Sequence, residues 1–533
     1  MKIIRNLIGL VALASLPFIA ILAGEPSTAS SSAEVGQFVS GEVLVKFKSG
    51  ARAESIEALL SAQSLELLGQ IHGLGILRLS VPPGHELEKI EALKRHPLVE
   101  YAEPNYIAHV ALIPDDTYYS AQWALAKIQA PAAWDATTGD SNVIIAVIDT
   151  GVDVDHPDLA AKMWSNPKEI PGNGLDDDGN GFIDDVRGWD FVSDDNVPQD
   201  DHGHGTHVAG IAAAETNNSI GIAGLSWGAR IMAVKVLNEK GEGTYFDVAQ
   251  GIKYAADQGA KIVNLSLAGS DYSSALKDAV SYAYDVMGCL LVGAVGNDSG
   301  PVEYPAKFPM VVAVAATNAS DERAYFSNYG PEVDVAAPGV SIWSSLWNDT
   351  YGYKHGTSQA APYVSGLAAL IWSVNPTLTQ DEVESIIERA AVDLGEPGRD
   401  NYYGHGRIDV NATVGETTHY LQIRPSSLLF LVDDETDPPM RVITNPSTSS
   451  STWKATGGAD WLSITGPTGN TPSWITVSVD RGALADYGLY TSAITVTSTM
   501  ANSQNSPQTV MVTLSYVPQL RRIYFPHLAL TKH

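Results

Sequence analysis

Residues 143–149 read VIIAVID. Six apolar residues, most of them β-branched, run without a polar face and close on an aspartate, which fits a strand buried on both sides rather than one half open to water. Similar short runs follow at 231–237 (IMAVKVL), 261–267 (KIVNLSL), 289–297 (CLLVGAVGN) and 310–316 (MVVAVAA). Helix-type segments such as DVAQGIKYAADQG (247–259) and SSALKDAVSYAYDVMG (273–288) lie between them. This alternation predicts an α/β domain over residues 115–415, a mostly parallel sheet with helices on both faces. Ligands of such sheets gather at the carboxyl ends of the strands, where VIIAVID delivers Asp149.

Outward from that domain the texture changes on both sides. Upstream, Lys2 and Arg5 precede an apolar run from Leu7 to Leu22 and the small residues Ala23 and Gly24, which reads as a secretory signal peptide over 1–24. A Ser/Ala-rich stretch then leads to GEVLVKFKSG (41–50), a strand, with amphipathic segments near 53–63 and 85–95 for two helices. ILRLSV (76–81) and LVEYAEPNY (98–106) supply further strands, so residues 35–110 are expected to form a small α+β unit. Downstream, residues 418–517 are rich in Ser, Thr, Pro and Gly and carry the alternating runs WITVSVD, AITVTST and QTVMVTLSYV, the pattern of a separate all-β sandwich. Residues 518–533 form a basic and aromatic tail to which no role is assigned.

Composition excludes several classes of function. The 61 acidic and 32 basic residues among 533 give a net charge of −29, which repels phosphate backbones and anionic lipid. Nucleic acid is therefore not an expected partner. No segment beyond the leader is long and apolar enough to span a bilayer in the mature form. The one cysteine, Cys289, has no disulfide partner, so stability outside the cell calls for another staple. Surplus carboxylates make a bound cation the natural choice.

Three segments carry chemistry in combination. Asp149 is followed by Thr150 and Gly151; His204 sits in HGHGTHVAG (202–210); Ser358 sits in HGTSQAAPYVSGLAALIW (355–372), a glycine turn feeding a helix. Taken singly, an acid after a strand is a turn residue, and a serine opening a helix is an N-cap. Together they are the orienting acid, base and nucleophile that acyl transfer from a peptide requires, because a serine hydroxyl is a poor nucleophile until an imidazole takes its proton. The order Asp, His, Ser separates this arrangement from the His, Asp, Ser and Ser, acid, His orders, and the serine lies in G-T-S-x-A rather than G-x-S-x-G. A zinc peptidase built on His204 and His207 is the rival enzyme reading, without the glutamate of HExxH. A catalytically silent binding protein that acts through its sandwich is the rival from another class.

VIDTGVD, HGTHVAG and GTSQAAP resemble the three signatures of the subtilisin-like serine peptidases. The resemblance implies a secreted serine endopeptidase, a monomer, acting on protein and peptide substrates. Asp149 orients, His204 is general base and then acid, and Ser358 attacks; His207 is a structural histidine. Asn297 in LLVGAVGN matches the family's oxyanion asparagine, with the backbone N–H of Ser358 as second donor. Substrate is expected to lie as an added strand against Gly241, Glu242 and Gly243 on one side and Ser266, Leu267, Ala268 and Gly269 on the other. Ala268 stands where glycine is usual and narrows the first side-chain pocket, while Asp298 tilts that pocket towards basic side chains. Gln359 replaces an oxidisable methionine.

The same resemblance implies structural calcium at two sites. The first takes side chains of Asp116, Asp158 and Asn218 with carbonyls of Thr216, Ile220 and Ile222; the second, of the thermitase branch, takes Asp190, Asp195 and Gln199. A third ion is expected at Asp176, Asp178 and Asn180, which follow D-x-[DN]-x-[DN]-G, with Asp184 or Asp185 in place of the missing distal glutamate. GEVLVKFK with HPLVEYAEPNY resembles an inhibitory pro-domain, an intramolecular partner cleaved off between about His109 and Asp115. The C-terminal region resembles Ig-like repeats of bacterial exoenzymes, a spacer or a carbohydrate-binding module, depending on whether Trp453, Trp461 and Trp474 are core or exposed.

Overall fold

The computed structural model describes residues 38–107, 112–418, 420–434, 440–445, 452–466, 468–470, 473–499 and 505–518. The leader read at 1–24 and the tail after Pro518 lie outside the described residues, as do residues 109–111 of the expected cleavage window. The chain divides into two compact units between Ala108 and His109. Among the described residues no helix is long and apolar enough to cross a membrane.

The first unit has the element order β1 (Phe38–Phe47), α1 (Ala53–Ala62), β2 (Glu66–Ile71), β3 (Ile76–Ser80), α2 (Glu86–Lys94) and β4 (Val99–Tyr106). Its strands pair antiparallel in the order β2-β3-β1-β4. Alternate residues Val43, Val45 and Phe47 of β1 turn inward onto Leu59, Ile90 and Leu93 of the helices. Strand β2 was not anticipated, because Leu67 and Leu68 both face outward and the segment lacks an alternation of apolar and polar residues.

In the second unit, two one-turn helices, α3 (Trp123–Lys127) and α4 (Ala130–Trp134), lead into β5 (Ile144–Asp149). The domain continues through β6 (Gly188–Asp190), α5 (His204–Ala213), β7 (Arg230–Lys235), α6 (Tyr245–Asp257), β8 (Ile262–Leu265), α7 (Ser274–Ser281) and β9 (Leu290–Ala294). It closes with β10 (Val311–Thr317), β11 (Val335–Pro338), the hairpin β12 (Ile342–Leu346) and β13 (Thr350–Lys354), and helices α8 (Thr357–Val374), α9 (Gln380–Arg389) and α10 (Val410–Thr418). Seven strands form one sheet in the order β11-β10-β9-β8-β5-β7-β6, and every pairing in it is parallel. Ile145 and Val147 of β5 enter one core with α5 and α8, while Ala146 and Ile148 enter a second core with α6 and α7. Helices therefore cover both faces, as a strand without a polar side requires. The winding direction reverses at β5, whose neighbours are β7 and β8, so Asp149 stands at the topological switch point where such sheets open a crevice.

Beyond α10 lie β14 (Ser427–Val432), β15 (Arg441–Asn445), β16 (Thr452–Gly457), β17 (Leu462–Thr465), β18 (Thr468–Asn470), β19 (Ser473–Val479), β20 (Gly488–Ser498) and β21 (Gln508–Tyr516). They form a five-stranded sheet, β14-β21-β20-β16-β18, and a three-stranded sheet, β15-β19-β17, with one shared apolar core. The join to the sheet domain is ordered. Tyr420 is buried in the core that holds α8 and α9, and the Arg389 guanidinium sits 5.8 Å from its ring. Glu382, at the start of α9, accepts from Arg424 at 2.6 Å and Gln422 at 3.1 Å.

Candidate active site

Asp149 ends β5 fully buried, and His204 opens α5 after Gly203, whose φ of 81° turns the chain sharply into the helix. The Nδ1 of His204 lies 2.7 Å from Asp149 Oδ1, which also accepts from the Thr150 N–H at 2.7 Å. Burial works against the imidazolium, but the Asp149 carboxylate outweighs it and holds the His204 pKa above the ordinary imidazole range. That bond leaves Nε2 as the other ring nitrogen, the one available to the cleft.

A buried acid absent from the sequence reading builds this corner. Asp200 takes the N–H groups of His202, Gly203 and Thr206 and the hydroxyls of Thr150 and Thr206. It thereby caps α5 and fastens the first residue after β5 to it. Lys235, buried at the end of β7, donates to the Thr150 carbonyl and to Asp201, each at 2.7 Å. An acid four residues before His204 was a readable helix-start signal; Lys235 had none, because its partners lie far off in sequence.

Ser358 follows Gly356 and Thr357 at the start of α8. Its Oγ donates to the Ser266 carbonyl at 3.1 Å, and Ser266 Oγ donates back to the Ser358 carbonyl at 2.9 Å. Ser266, just past β8, thus clamps the turn, itself held by Asn264. Asn297, just past β9, accepts through Oδ1 from the Thr357 N–H at 2.9 Å and the Thr357 hydroxyl at 3.1 Å. With its oxygen so engaged, Nδ2 is the end that faces the site. A β-carbon on Gly356 would lie 3.6 Å from both Asn297 Nδ2 and Ser358 N. Both nitrogens therefore border the space beside Gly356, whose φ is 154°, and Gln359 Oε1 comes closer still, 2.8 Å from the same point.

The two segments read as substrate walls flank this space. Gly241, Glu242 and Gly243 form a turn closed by Asn238, and Gly241 packs against His202, whose ring centroid is 6.2 Å from that of His204. Ser266 to Gly269 continue from β8, with Ala268 exposed, Leu267 half-buried and Gly269 bridged to Tyr304 by two backbone bonds of 2.9 Å. Asp298 is exposed beside Asn297. His207 is fully buried, donates through Nε2 to the carbonyls of Ile342 and Gly352 at 3.1 and 3.2 Å, and ties α5 to the β12–β13 hairpin. That nitrogen is spent on backbone, and neither His207 nor His204 belongs to a group of three or more His, Cys, Asp or Glu ligand atoms that converge among the described residues. Gln359 is buried with its Nε2 unpaired among the described residues.

The first calcium set converges. Asn218 Nδ2 meets Asp158 Oδ1 at 3.1 Å, Ile222 N–H meets Asp158 Oδ2 at 2.7 Å, and Asn217 N–H reaches both Asp116 oxygens at 3.0 and 2.9 Å. Burial pushes both carboxyls up, and the charge of Asp158 adds to that on Asp116. The two carboxylates fit a hard cation, whereas Asn218 turns Nδ2 to Asp158 and takes the Ile220 N–H on Oδ1 at 2.9 Å, on the loop that also carries Thr216. The second set is only half assembled: Asp190 and Asp195 bond through their backbones at 2.8 and 3.1 Å, but Gln199 turns its amide to Asp153 at 2.8 Å. In the insert, Asp176 and Asp178 gather with Glu169, their ligand oxygens all within 4.8 Å of one another. Asn180 bonds Asp185, which is taken up by Tyr254 and Asn166, and Asp184 caps Asn173 and Gly174. The acid that gathers with Asp176 and Asp178 is Glu169, upstream of the motif, while Asp184 and Asp185 are engaged by these other partners. A second acidic group, Asp334, Glu384 and Glu388, is matched by Arg399 at 3.1 Å from Asp334.

Comparison with known proteins agrees with this layout. Residues 140–406 match the model of the subtilase family, and residues 24–105 match the fervidolysin N-terminal prodomain. A thermophilic serine proteinase of Bacillus sp. (strain AK1) is 40% identical over 398 residues, 72% of this chain and 90% of its own. Thermitase of Thermoactinomyces vulgaris is 44% identical over 303 residues, 56% of this chain and 99% of its own. Subtilisin E of Bacillus subtilis (strain 168) is 40% identical over 329 residues, 61% and 77% of the two chains. An all-parallel sheet that gathers three motif segments at one end, matched along its length by that model, places this chain in the subtilase family, a serine peptidase with an N-terminal prodomain.

Proposed function

We propose that the protein is a secreted, calcium-stabilised endopeptidase that cuts proteins through Asp149, His204 and Ser358 and is made as a self-processed precursor. The observation that carries this reading is the 2.7 Å bond from His204 to the buried Asp149, at the sheet end that also bears Ser358 and Asn297. Asp149 holds Nδ1 protonated, so Nε2 is free to take the Ser358 proton as Oγ attacks the scissile carbonyl. The oxygen that becomes negative enters the space between Asn297 Nδ2 and Ser358 N, where donors already in place need no reorganisation. His204 then returns its proton to the leaving amine, and water, activated in the same way, releases the acyl group from Ser358.

Substrate runs as a strand between Gly241–Gly243 and Ser266–Gly269, read through its backbone. Asp116 and Asp158 would hold calcium, whose positive charge would relieve two buried like charges; the Asp176, Asp178 and Glu169 group is a further candidate. The first unit acts as pro-domain, and the cut falls between about His109 and Asp115. For the Ig-like C-terminal sandwich a spacer role is favoured, because Trp453 and Trp461 are core and only Trp474 is exposed.

Treatment with a fluorophosphonate followed by peptide mass analysis is expected to place the label on Ser358, and Ser358→Ala is expected to accumulate an uncleaved precursor. Labelling elsewhere, or normal maturation of the alanine variant with loss of activity to chelator alone, would overturn the reading.

A further inference from the structure

Glu303 lies where the two walls of the cleft meet. Its N–H bonds the Val295 carbonyl at 3.1 Å, just past β9, and the next residue, Tyr304, makes both backbone bonds to Gly269. A β-carbon on Gly296 would stand 3.0 Å from Glu303 Oε2, so the carboxylate rests against the residue that precedes Asn297. On the other wall, Gly269 packs against the Tyr245 hydroxyl, and the Glu303 charge is felt by that phenol. The carboxylate therefore sits between the segment 266–269 and the segment 296–298, at the base of the gap they leave.

Resting on the function proposed above, the path of a substrate fixes what enters this gap. The scissile carbonyl points between Asn297 Nδ2 and Ser358 N, and the chain before it follows Ser266 to Gly269. The side chain immediately before the cut then descends between the walls towards Glu303. Neither Glu303 nor Asp298 has an ion-pair partner among the described residues; the nearby Lys307 faces Glu332 at 4.0 Å. Partial burial and the like charge of Asp298 leave Glu303 an acid without a counter-ion, pushed up from its ordinary range. Such a group gains most from a cation brought in by the ligand. We propose that Glu303, with Asp298 at the rim, selects lysine or arginine immediately before the scissile bond.

The test uses the processed, active enzyme with its C-terminal sandwich and peptide p-nitroanilides that differ only in the last residue, lysine, arginine, norleucine, phenylalanine or glutamate. Lysine and arginine are expected to exceed norleucine in kcat/KM by about tenfold or more, as a partly buried ion pair would give. In Glu303→Gln the lysine-to-norleucine ratio is expected to collapse, and Glu303→Lys is expected to raise glutamate above lysine. Should either variant fail to fold, competition on the wild-type enzyme decides: benzamidine is expected to inhibit about tenfold more strongly than neutral benzamide. Equal turnover of lysine and norleucine substrates, or equal inhibition by the two compounds, would overturn the assignment. Ser358→Ala separates the two levels: a flat profile with the alanine variant dead removes only the role of Glu303, whereas cleavage surviving in that variant removes the serine reading itself.

Discussion

The side-chain nitrogen of Asn297 and the backbone nitrogen of Ser358 are each 3.6 Å from the point a β-carbon on Gly356 would occupy. A methyl group there would crowd Gln359 Oε1, 2.8 Å away, and intrude beside the space in which the oxyanion is proposed to develop. Gly356→Ala is expected to lower kcat by about 10²–10³-fold, the cost of losing one oxyanion donor, with a much smaller change in KM. Steady-state kinetics on one peptide substrate checks this; a rise in KM with kcat intact would count against it.

To act as the proposed base His204 must be neutral, and Asp149 holds its pKa above the ordinary imidazole value of about 6.5. The fraction of active enzyme therefore rises with pH through a midpoint above that value. The acid limb of kcat/KM against pH is expected there, and in Asp149→Asn it is expected to move to lower pH while the rate falls by about 10⁴-fold.

Burial lowers the His207 pKa to about 3. As pH falls below about 6.5, the unfolded chain takes up a proton that the native state refuses, so this residue's contribution to stability is present at neutral pH and lost progressively towards pH 3. His207→Gln is expected to be less stable at pH 7 but to lose less between pH 7 and pH 5. Denaturant midpoints at the two pH values measure the difference in slope.

Calcium is expected to raise the melting temperature and a chelator to lower it, since an ion at one hundred times its dissociation constant adds about 2.7 kcal/mol to native stability. Asp158→Ala is expected to remove most of the calcium-dependent part, and Asp176→Ala a separate part. Calorimetry with and without the ion would show an unchanged melt if neither group binds.

Much of the fold was legible because its elements carry their own patterns. The five apolar runs are all strands of the parallel sheet, and both helix-type segments between them are helical. In the first unit and the sheet domain the strands missed were short or open: β6 has three residues, β11 has four, β12 and β13 pair with each other apart from the main sheet, and the leucines of β2 face outward. Strands β14 to β18 of the sandwich were not read individually. The site divides in the same way. Asp149, His204, Ser358 and Asn297 stand in local motifs, whereas Lys235, the Ser266 clamp, Glu169 and Glu303 acquire meaning only from partners brought close by the sheet. The Ser266–Ser358 bonds, for example, join residues 92 apart. Local chemistry can be read along a chain; chemistry made by packing can be read only across it.

The buried position of Tyr420 bears on the order of events at the ribosome. That residue lies past the last helix of the sheet domain yet belongs to its core, and Glu382 of α9 grips Gln422 and Arg424 just beyond. A nascent chain cannot seal this core until the first residues of the β-sandwich have left the exit tunnel. Completion of the peptidase is thereby timed to the synthesis of its C-terminal neighbour, and a chain interrupted at the domain boundary would emerge with its protease unsealed.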